Sequence, residues 1–344
     1  MIWGENGSGK TSLLEAVHIL SLGKSFRTGG QKEIIKKGKE SFVVRGRFIR
    51  KRRDHEVSVL FNKNSGQAIK INGKKFPSRK DLVGKTKVVV LSPEEQNITK
   101  GGPEQRRRFF DKVFSIVDTK YLQAIQTYNR ILKQRNAALV RIKEGRGFSN
   151  EISSWNVQLI ESGLLIWKIR QEFIRDFNSE IQLLTKKYED KIEIELSYPL
   201  QNRDSDSFHV KLQKHQKTDI RLGRTSVGPH RDIIDVLWSK NNLRKHGSQG
   251  EHKLTLVFLK LAELVFTKNK TNTFPILLLD DLFSKLDFDR SRKLVDLLKN
   301  IENNFGEPIQ TIITTTDMIN IKNSGIFKLH DNTKTHHLSR ECSR

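Results

Sequence analysis

Cysteine occurs once in the 344 residues, at Cys342, so the chain has no internal disulfide and no cysteine-based zinc site. That usage suits a reducing cytoplasm. Proline is scarce, at seven, and no low-complexity tract occurs, which argues against long disorder. No run of about 18 apolar residues is present, so neither a transmembrane helix nor a membrane partner is expected. The opening Met1-Ile2-Trp3-Gly4 has no basic stretch followed by an apolar one, and no signal peptide is expected. Acidic residues are outnumbered: 39 Asp and Glu against 63 Lys and Arg leave a net charge of +24. An excess of that size suggests a polyanionic partner. Nucleic acid and an anionic membrane both fit on charge alone, and a general lysine bias is the bland alternative.

What is present divides by period. A helix is expected over Thr11–Leu22, where Leu13, Leu14, Val17 and Leu20 recur near helical spacing. Residues 41–90 read as strands and turns: Ser41–Ile49 alternates in part, Glu56–Phe61 follows, and Asn72-Gly73 is a hairpin signal between Ala68–Ile71 and Lys75-Phe76. Lys87–Leu91 is short and apolar, as a buried strand requires. From 104 to 143 Gly and Pro nearly vanish, and Tyr121, Ile125, Tyr128, Leu132 and Leu139 mark one helical face until Gly145-Arg146-Gly147 breaks it. A second long helix is expected from about Ser153 to Tyr188. Strand Ile192–Leu196, a loop-rich stretch to Gly228, and a helix beginning near Gln249 follow. Pro275–Leu279 and Ile309–Ile313 are continuous apolar strands, the pattern of a parallel sheet covered on both faces. The division this predicts is 1–103, 104–190 and 191–344, with the middle segment a helical lobe inserted in an α/β protein.

Gly4-Glu5-Asn6-Gly7-Ser8-Gly9-Lys10-Thr11 fits G-x-x-x-x-G-K-[ST]. Glycines let backbone N–H groups turn inward around phosphate oxygens. Lys10 would reach the β- and γ-phosphates and the Thr11 hydroxyl would ligate Mg²⁺. The following helix adds the partial positive charge of its N-terminus. A chance glycine turn is the bland reading, and the helical segment that follows weighs against it. Ile276–Leu279 is an apolar strand ending in Asp280 and Asp281. An acid at such a strand end holds Mg²⁺ in P-loop NTPases. Asp280 suits that role, and Asp281 is placed to orient the attacking water. The expected cofactors are therefore ATP and Mg²⁺, with Lys10 and Asp281 as the catalytic pair.

Further residues carry a family resemblance. Ser248-Gln249-Gly250-Glu251 resembles the signature of ABC-type ATPases and lies about 30 residues before the carboxylate strand. Ser284-Lys285-Leu286-Asp287 looks like the D-loop. Ser25-Phe26-Arg27-Thr28, Ser92-Pro93-Glu94-Glu95, Gly102-Pro103, Arg106-Arg107-Arg108-Phe109-Phe110-Asp111 and Gly228-Pro229-His230-Arg231-Asp232 resemble runs typical of the RecF family, in order along nearly the whole chain.

The resemblance implies an ABC/SMC-type P-loop ATPase head with an inserted α-helical arm. It also implies an ATP-dependent homodimer in which the phosphate loop of one copy and Ser248 and Gly250 of the other clasp one γ-phosphate, with Asp287 lining the seam. The implied function is ATP-dependent DNA binding in recombinational repair and replication restart, with duplex DNA clamped near single-strand gaps. RecO- and RecR-type partners and slow ATP hydrolysis belong to it. Family chains usually carry a longer stretch before the phosphate loop, so a fragment or a mis-called start is expected. Ile233, Lys285 and Glu251 also depart from the family pattern.

Three features stay open between two readings. The basic hairpin around Arg45, Arg47, Arg50, Lys51, Arg52 and Arg53 is either a solvated surface or a DNA-backbone contact. Arg106, Arg107 and Arg108 open a long helix, where cations are disfavoured, and either meet phosphate or pack against the head. Thr315 or Thr316 ends a strand where a γ-phosphate contact is conceivable, or simply turns the chain. His230 has no metal-spaced partner and reads as a turn histidine. A transporter-type ATPase subunit shares the same motifs, but here more than 230 residues, including two long helices, separate Thr11 from Ser248. A DNA-binding remnant without ATPase activity is the other alternative.

Overall fold

The helix after the glycine-rich loop is apolar on more than one side, and the computed structural model shows why. It describes residues 1–50, 53–148, 150–198, 204–282, 287–316, 318–323, 325–326 and 333–339. Cys342, Lys51 and Arg52 of the basic hairpin, and the D-loop-like Ser284, Lys285 and Leu286 lie outside the described residues.

In chain order the strands are β1 (Ile2–Trp3), β2 (Ser41–Arg50), β3 (Arg53–Asn62), β4 (Gly66–Ile71), β5 (Lys74–Phe76), β6 (Val88–Leu91), β7 (Ile194–Ser197), β8 (Asp235–Trp238), β9 (Asn241–Asn242), β10 (Ile276–Asp280), β11 (Thr311–Thr315) and β12 (His336–His337). The longer helices are α1 (Lys10–Leu22), α2 (Pro103–Val117), α3 (Thr119–Lys143), α4 (Asn150–Tyr188), α5 (Ser205–Leu222), α6 (Gln249–Thr271) and α7 (Phe288–Phe305). None of the described helices is long and apolar enough to cross a membrane.

The chain forms two units. The first comprises 1–96, 184–190 and 256–344. It holds a parallel sheet in the order β12-β1-β11-β10-β6 and an antiparallel sheet in the order β2-β3-β4-β5. Helix α1 packs on both. Leu14, with Val17 beside it, meets Val88, Val90 and Leu278 of the parallel sheet. Ile19 and Leu20 meet Val57, Val59, Ile69 and Ile71 of the antiparallel sheet. A helix between two sheets needs apolar residues on both flanks, which explains its weak amphipathic pattern. Parallel strands β6 and β10 are buried throughout or nearly so, as continuous apolar runs demand.

The second unit comprises 97–183 and 191–255. Residues 191–255 cluster with 97–183 in this unit. They supply a small antiparallel sheet, β7-β8-β9, and the Leu196 N–H donates to Asn178 Oδ1 of α4 at 2.8 Å. Its core is aromatic: Phe109, Phe110, Phe114, Phe173, Phe177 and Tyr121 meet largely edge to face, with centroids 5.0 to 6.2 Å apart.

Two expectations change. The helical stretch 104–143 is two helices, because the Asp118 carboxylate accepts the N–H groups of Lys120 and Tyr121 and starts α3 afresh. The loop-rich stretch before Gly228 contains α5, capped by Asp204 and ended by Gly223. Its buried residues are few, Phe208, Leu212 and Asp219, so its polar sequence hides the helical period.

Candidate functional site

Strand order places the glycine-rich loop. β11 lies between β1 and β10, with Trp3 level with Thr315 and Asp280 level with Thr314. The loop leaving β1 therefore sits at the carboxyl ends of β11 and β10, the edge where open α/β sheets bind ligands. Gly7 and Gly9 adopt left-handed φ values of 83° and 92°, which only glycine takes without strain, and Gly9 is the N-cap of α1.

Lys10, only 7% exposed, is folded back on the loop. Its Nζ donates to Gly4 O at 2.8 Å and Glu5 O at 2.7 Å. Thr11 Oγ1 donates to Asp280 Oδ1 at 2.9 Å across 269 residues. Thr314 Oγ1 donates to the same oxygen at 2.7 Å. The second oxygen, Oδ2, takes neither bond. Asp281 sits in a left-handed conformation, φ 49°, with its N–H held by Thr314 O at 3.2 Å and Thr314 Oγ1 at 3.1 Å. Thr316 Oγ1 reaches Asp281 Oδ1 at 3.5 Å.

These residues fit a phosphate group and its cation. Ser8 Oγ is shielded from solvent and has no hydrogen-bond partner, and a Cβ at Gly9 would meet nothing within 4 Å. The space beside Gly9 at the first turn of α1 is thus open, at the positive end of a helix. No group of three His, Cys, Asp or Glu among the described residues could hold a metal by itself. The Thr11 hydroxyl and the Asp280 carboxylate are hard oxygen donors. They suit Mg²⁺, which keeps waters and substrate phosphates as its other ligands.

Gly4, Glu5, Asn6, Gly7, Ser8, Gly9, Lys10, Thr11, Asp280 and Asp281 are all in the first unit. Ser248 and Gly250 belong to the second. There Ser248 is exposed at the start of α6, and a reciprocal capping box fixes it. The Ser248 N–H donates to Glu251 Oε2 at 2.7 Å, and the Glu251 N–H donates to Ser248 Oγ at 3.2 Å. The acid at 251 thus has a local task. Asp287 is exposed and caps α7 through the Arg290 N–H at 2.8 Å.

Other motif residues prove to be braces. Ser25 Oγ donates to the Glu15 carboxylate of α1 and accepts the N–H groups of Arg27 and Thr28. Glu95 forms an ion pair with the fully buried Lys260 at 3.0 Å, and Glu263 completes it at 2.6 Å. Burial pushes the Lys260 ammonium down, but the two carboxylates outweigh it and its pKa is raised.

Arg106 is 3% exposed and donates to Gly101 O and to Asp235 Oδ1, both at 3.0 Å, and also to Ile234 O. Arg107 donates to Asp232 O at 2.6 Å. Both turn inward, and only Arg108 is left on the surface, beside Glu104. His230 Nε2 bonds Thr225 O at 3.0 Å, so it carries the proton, and Nδ1 accepts from Tyr128 Oη at 2.7 Å. Burial pushes this imidazole down to about 4, against the pull of its Thr225 bond. Asp232 accepts from Trp167 Nε1 at 3.0 Å, Arg170 at 2.7 Å and Tyr198 Oη at 2.5 Å.

Sequence reasoning missed Thr314, which holds both acids. Its only signal was the run Thr314-Thr315-Thr316 ending a strand; the neighbouring Thr315 is 1% exposed.

A phosphate loop on one strand of a parallel sheet, with a carboxylate on the next strand but one, defines a P-loop ATPase head of the ABC/SMC type. The model of the RecF/RecN/SMC N-terminal domain matches residues 1–335. The DNA replication and repair protein RecF of Leptospira interrogans is 36% identical over 322 residues, 93% of this chain and 86% of that protein. That of Lachnoclostridium phytofermentans is 36% identical over 327 residues, 95% and 88%. A solved structure of the recombination mediator protein RecF with ATP, from the RecFOR pathway, superposes with a TM-score of 0.83 at 28% identity, over 98% of this chain and 88% of that one. A Pyrococcus furiosus Smc head shares the fold at a TM-score of 0.50 and 15% identity. The chain belongs to the RecF family of DNA replication and repair proteins.

Proposed function

We propose that this chain is an ATP-switched DNA-binding protein of recombinational repair and replication restart. The observation that carries it is the convergence of Lys10, Thr11, Asp280 and Thr314 at one sheet edge, joined to a net charge of +24. Residues 1–103 and 191–344 supply the ATPase head of this reading and 104–190 the arm.

Backbone N–H groups of Gly7, Ser8 and Gly9 cradle the phosphates. Lys10 leaves the Gly4 and Glu5 carbonyls for the β- and γ-phosphate oxygens. Thr11, through its hydroxyl oxygen, and Asp280, through its carboxylate, would hold Mg²⁺. Mg²⁺, when bound, neutralises charge on the phosphates. Asp281 accepts a hydrogen bond from the attacking water and aligns it. The products are ADP and phosphate, and turnover is slow because aspartate is a short arm for this task.

Ser248 and Gly250 act on the nucleotide of a second copy, where the capped start of α6 presents N–H groups to the γ-phosphate. ATP thereby closes a homodimer on duplex DNA near single-strand gaps, and hydrolysis reopens it. RecO- and RecR-type proteins then help load the recombinase, within the SOS response and in the cytoplasm. DNA is held through its phosphates, so binding falls steeply with salt.

Anisotropy of labelled duplex with ATP and with ADP, at two salt concentrations, tests the reading. ATP-selective retention, lost in Lys10→Ala, is the expected result. Equal retention in both nucleotides sinks the switch and means that charge alone holds the DNA.

A further inference from the structure

β2 is the outer strand of the antiparallel sheet, and among the described residues only β3 pairs with it, without interruption from Ser41↔Asn62 to Arg50↔Arg53. The direction of its free backbone groups follows from two bonds. The Asn72 N–H donates to Glu56 O at 2.9 Å, so even-numbered residues of β3 bond toward β4. Lys63, one residue past β3, donates its N–H to Glu40 O at 3.0 Å, so odd-numbered residues there bond toward β2. With Val57 opposite Gly46 and Val59 opposite Val44, the even residues of β2 face β3. Val43, Arg45, Arg47 and Ile49 therefore aim their N–H and C=O groups out of the sheet.

The same four residues carry their side chains on the exposed face, with Val43 48% and Ile49 73% exposed. Proteins usually blunt such an edge by shortening it, by a bulge, by proline, by charged side chains or by a covering element. β2 has ten residues, no proline and no bulge. Alongside it runs a groove of about 600 Å³, lined in part by Leu13, Val17, Phe48, Phe274 and Ile312, with Lys85 and Glu307 among its charged residues.

Charge selects the occupant. Arg45 forms no ion pair among the described residues, and Arg47 has only the exposed Asp54. A second copy of β2 paired about Gly46 would oppose arginine to arginine, which is destabilising. A nucleic acid offers no ladder of alternating amides to bond the edge. We propose that β2 is the docking edge for an extended acidic segment of a partner protein. The segment adds a fifth strand, sets acidic side chains opposite Arg45 and Arg47, and lays its alternate apolar side chains into the groove.

The test titrates the full chain into a fluorescein-labelled ten-residue peptide alternating glutamate and valine. A peptide alternating lysine and valine, and labelled oligothymidylate, are the comparisons. The acidic peptide should bind about tenfold or more tightly than the basic one, from two cross-strand charge pairs. Arg45→Glu/Arg47→Glu should reverse that order. Val43→Pro removes an outward N–H and leaves the β3 ladder intact, so it should weaken the acidic peptide about tenfold or more, with unchanged circular dichroism. Three outcomes overturn the proposal. They are equal binding of both peptides, Val43→Pro with wild-type affinity, or oligothymidylate binding that depends on the two arginines but not on Val43.

Discussion

Thr314 and Thr11 donate to one and the same oxygen of Asp280, from opposite ends of the chain, at 2.7 and 2.9 Å. Asp280 is thereby fixed with Oδ2 left for other work, and the Thr314 carbonyl and hydroxyl fix the backbone of Asp281 as well. Thr314→Val keeps the shape of the side chain and removes the donor. The expectation is about tenfold weaker Mg²⁺-dependent ATP binding, with Thr314→Ser near wild type. Titrating nucleotide affinity against Mg²⁺ checks it; an unchanged Mg²⁺ dependence in the valine variant counts against the role.

Asp281 holds a positive φ of 49°, uncommon for a residue with a side chain but best tolerated by Asp and Asn. Glutamate reaches further, so Asp281→Glu should raise the hydrolysis rate about tenfold, less than the roughly hundredfold or more that a positioned base supplies in full. Single-turnover hydrolysis decides it. A variant that binds ATP normally and hydrolyses no faster removes side-chain reach as the reason for slow turnover.

In the second unit Arg170 is 1% exposed and bonds Asp111 at 2.8 Å and Asp232 at 2.7 Å. Cutting one partner from a buried ionic network strands the other charges, at a cost of about 3 kcal/mol. Arg170→Met should lose about that much in urea unfolding. Arg141→Met, which breaks a solvent-screened pair with Glu151, should leave stability nearly unchanged. Similar losses in both would show that burial is not what matters here.

His230 titrates in the unfolded chain near 6.5 and in the folded protein near 4. Between those values the unfolded state binds the extra proton, so its contribution is complete above pH 6.5 and is lost as pH falls toward 4. The shift is worth up to about 3 kcal/mol. The difference in unfolding free energy between wild type and His230→Gln should therefore shrink from pH 7 to pH 4.5. A difference constant across that range would place the protonation elsewhere.

Much of this protein was legible from local chemistry. The run Gly4 to Thr11 has glycines that accept left-handed angles, and Gly7 and Gly9 take them where α1 starts. Ile276–Asp280 reads as a buried strand, because a parallel sheet covered on both faces demands consecutive apolar residues, and it is β10. The polar helix Ser205–Leu222 was not legible, because its few buried side chains leave little periodic signal. Nor were the inward turns of Arg106 and Arg107, because a cation at a helix start gives no sign of the carbonyls it will meet.

The glycine-rich loop, the carboxylate strand and the helix ending at Tyr188 follow from spacing within one segment, where backbone geometry and side-chain period act over a few residues; the family follows from motifs in order along nearly the whole chain. That Thr314 joins Thr11 on Asp280, that α1 is packed by two sheets, and that β2 has one strand partner among the described residues came from the tertiary structure. Those are facts of strand order, and strand order is set by how distant segments bury their apolar faces together, which no local spacing encodes.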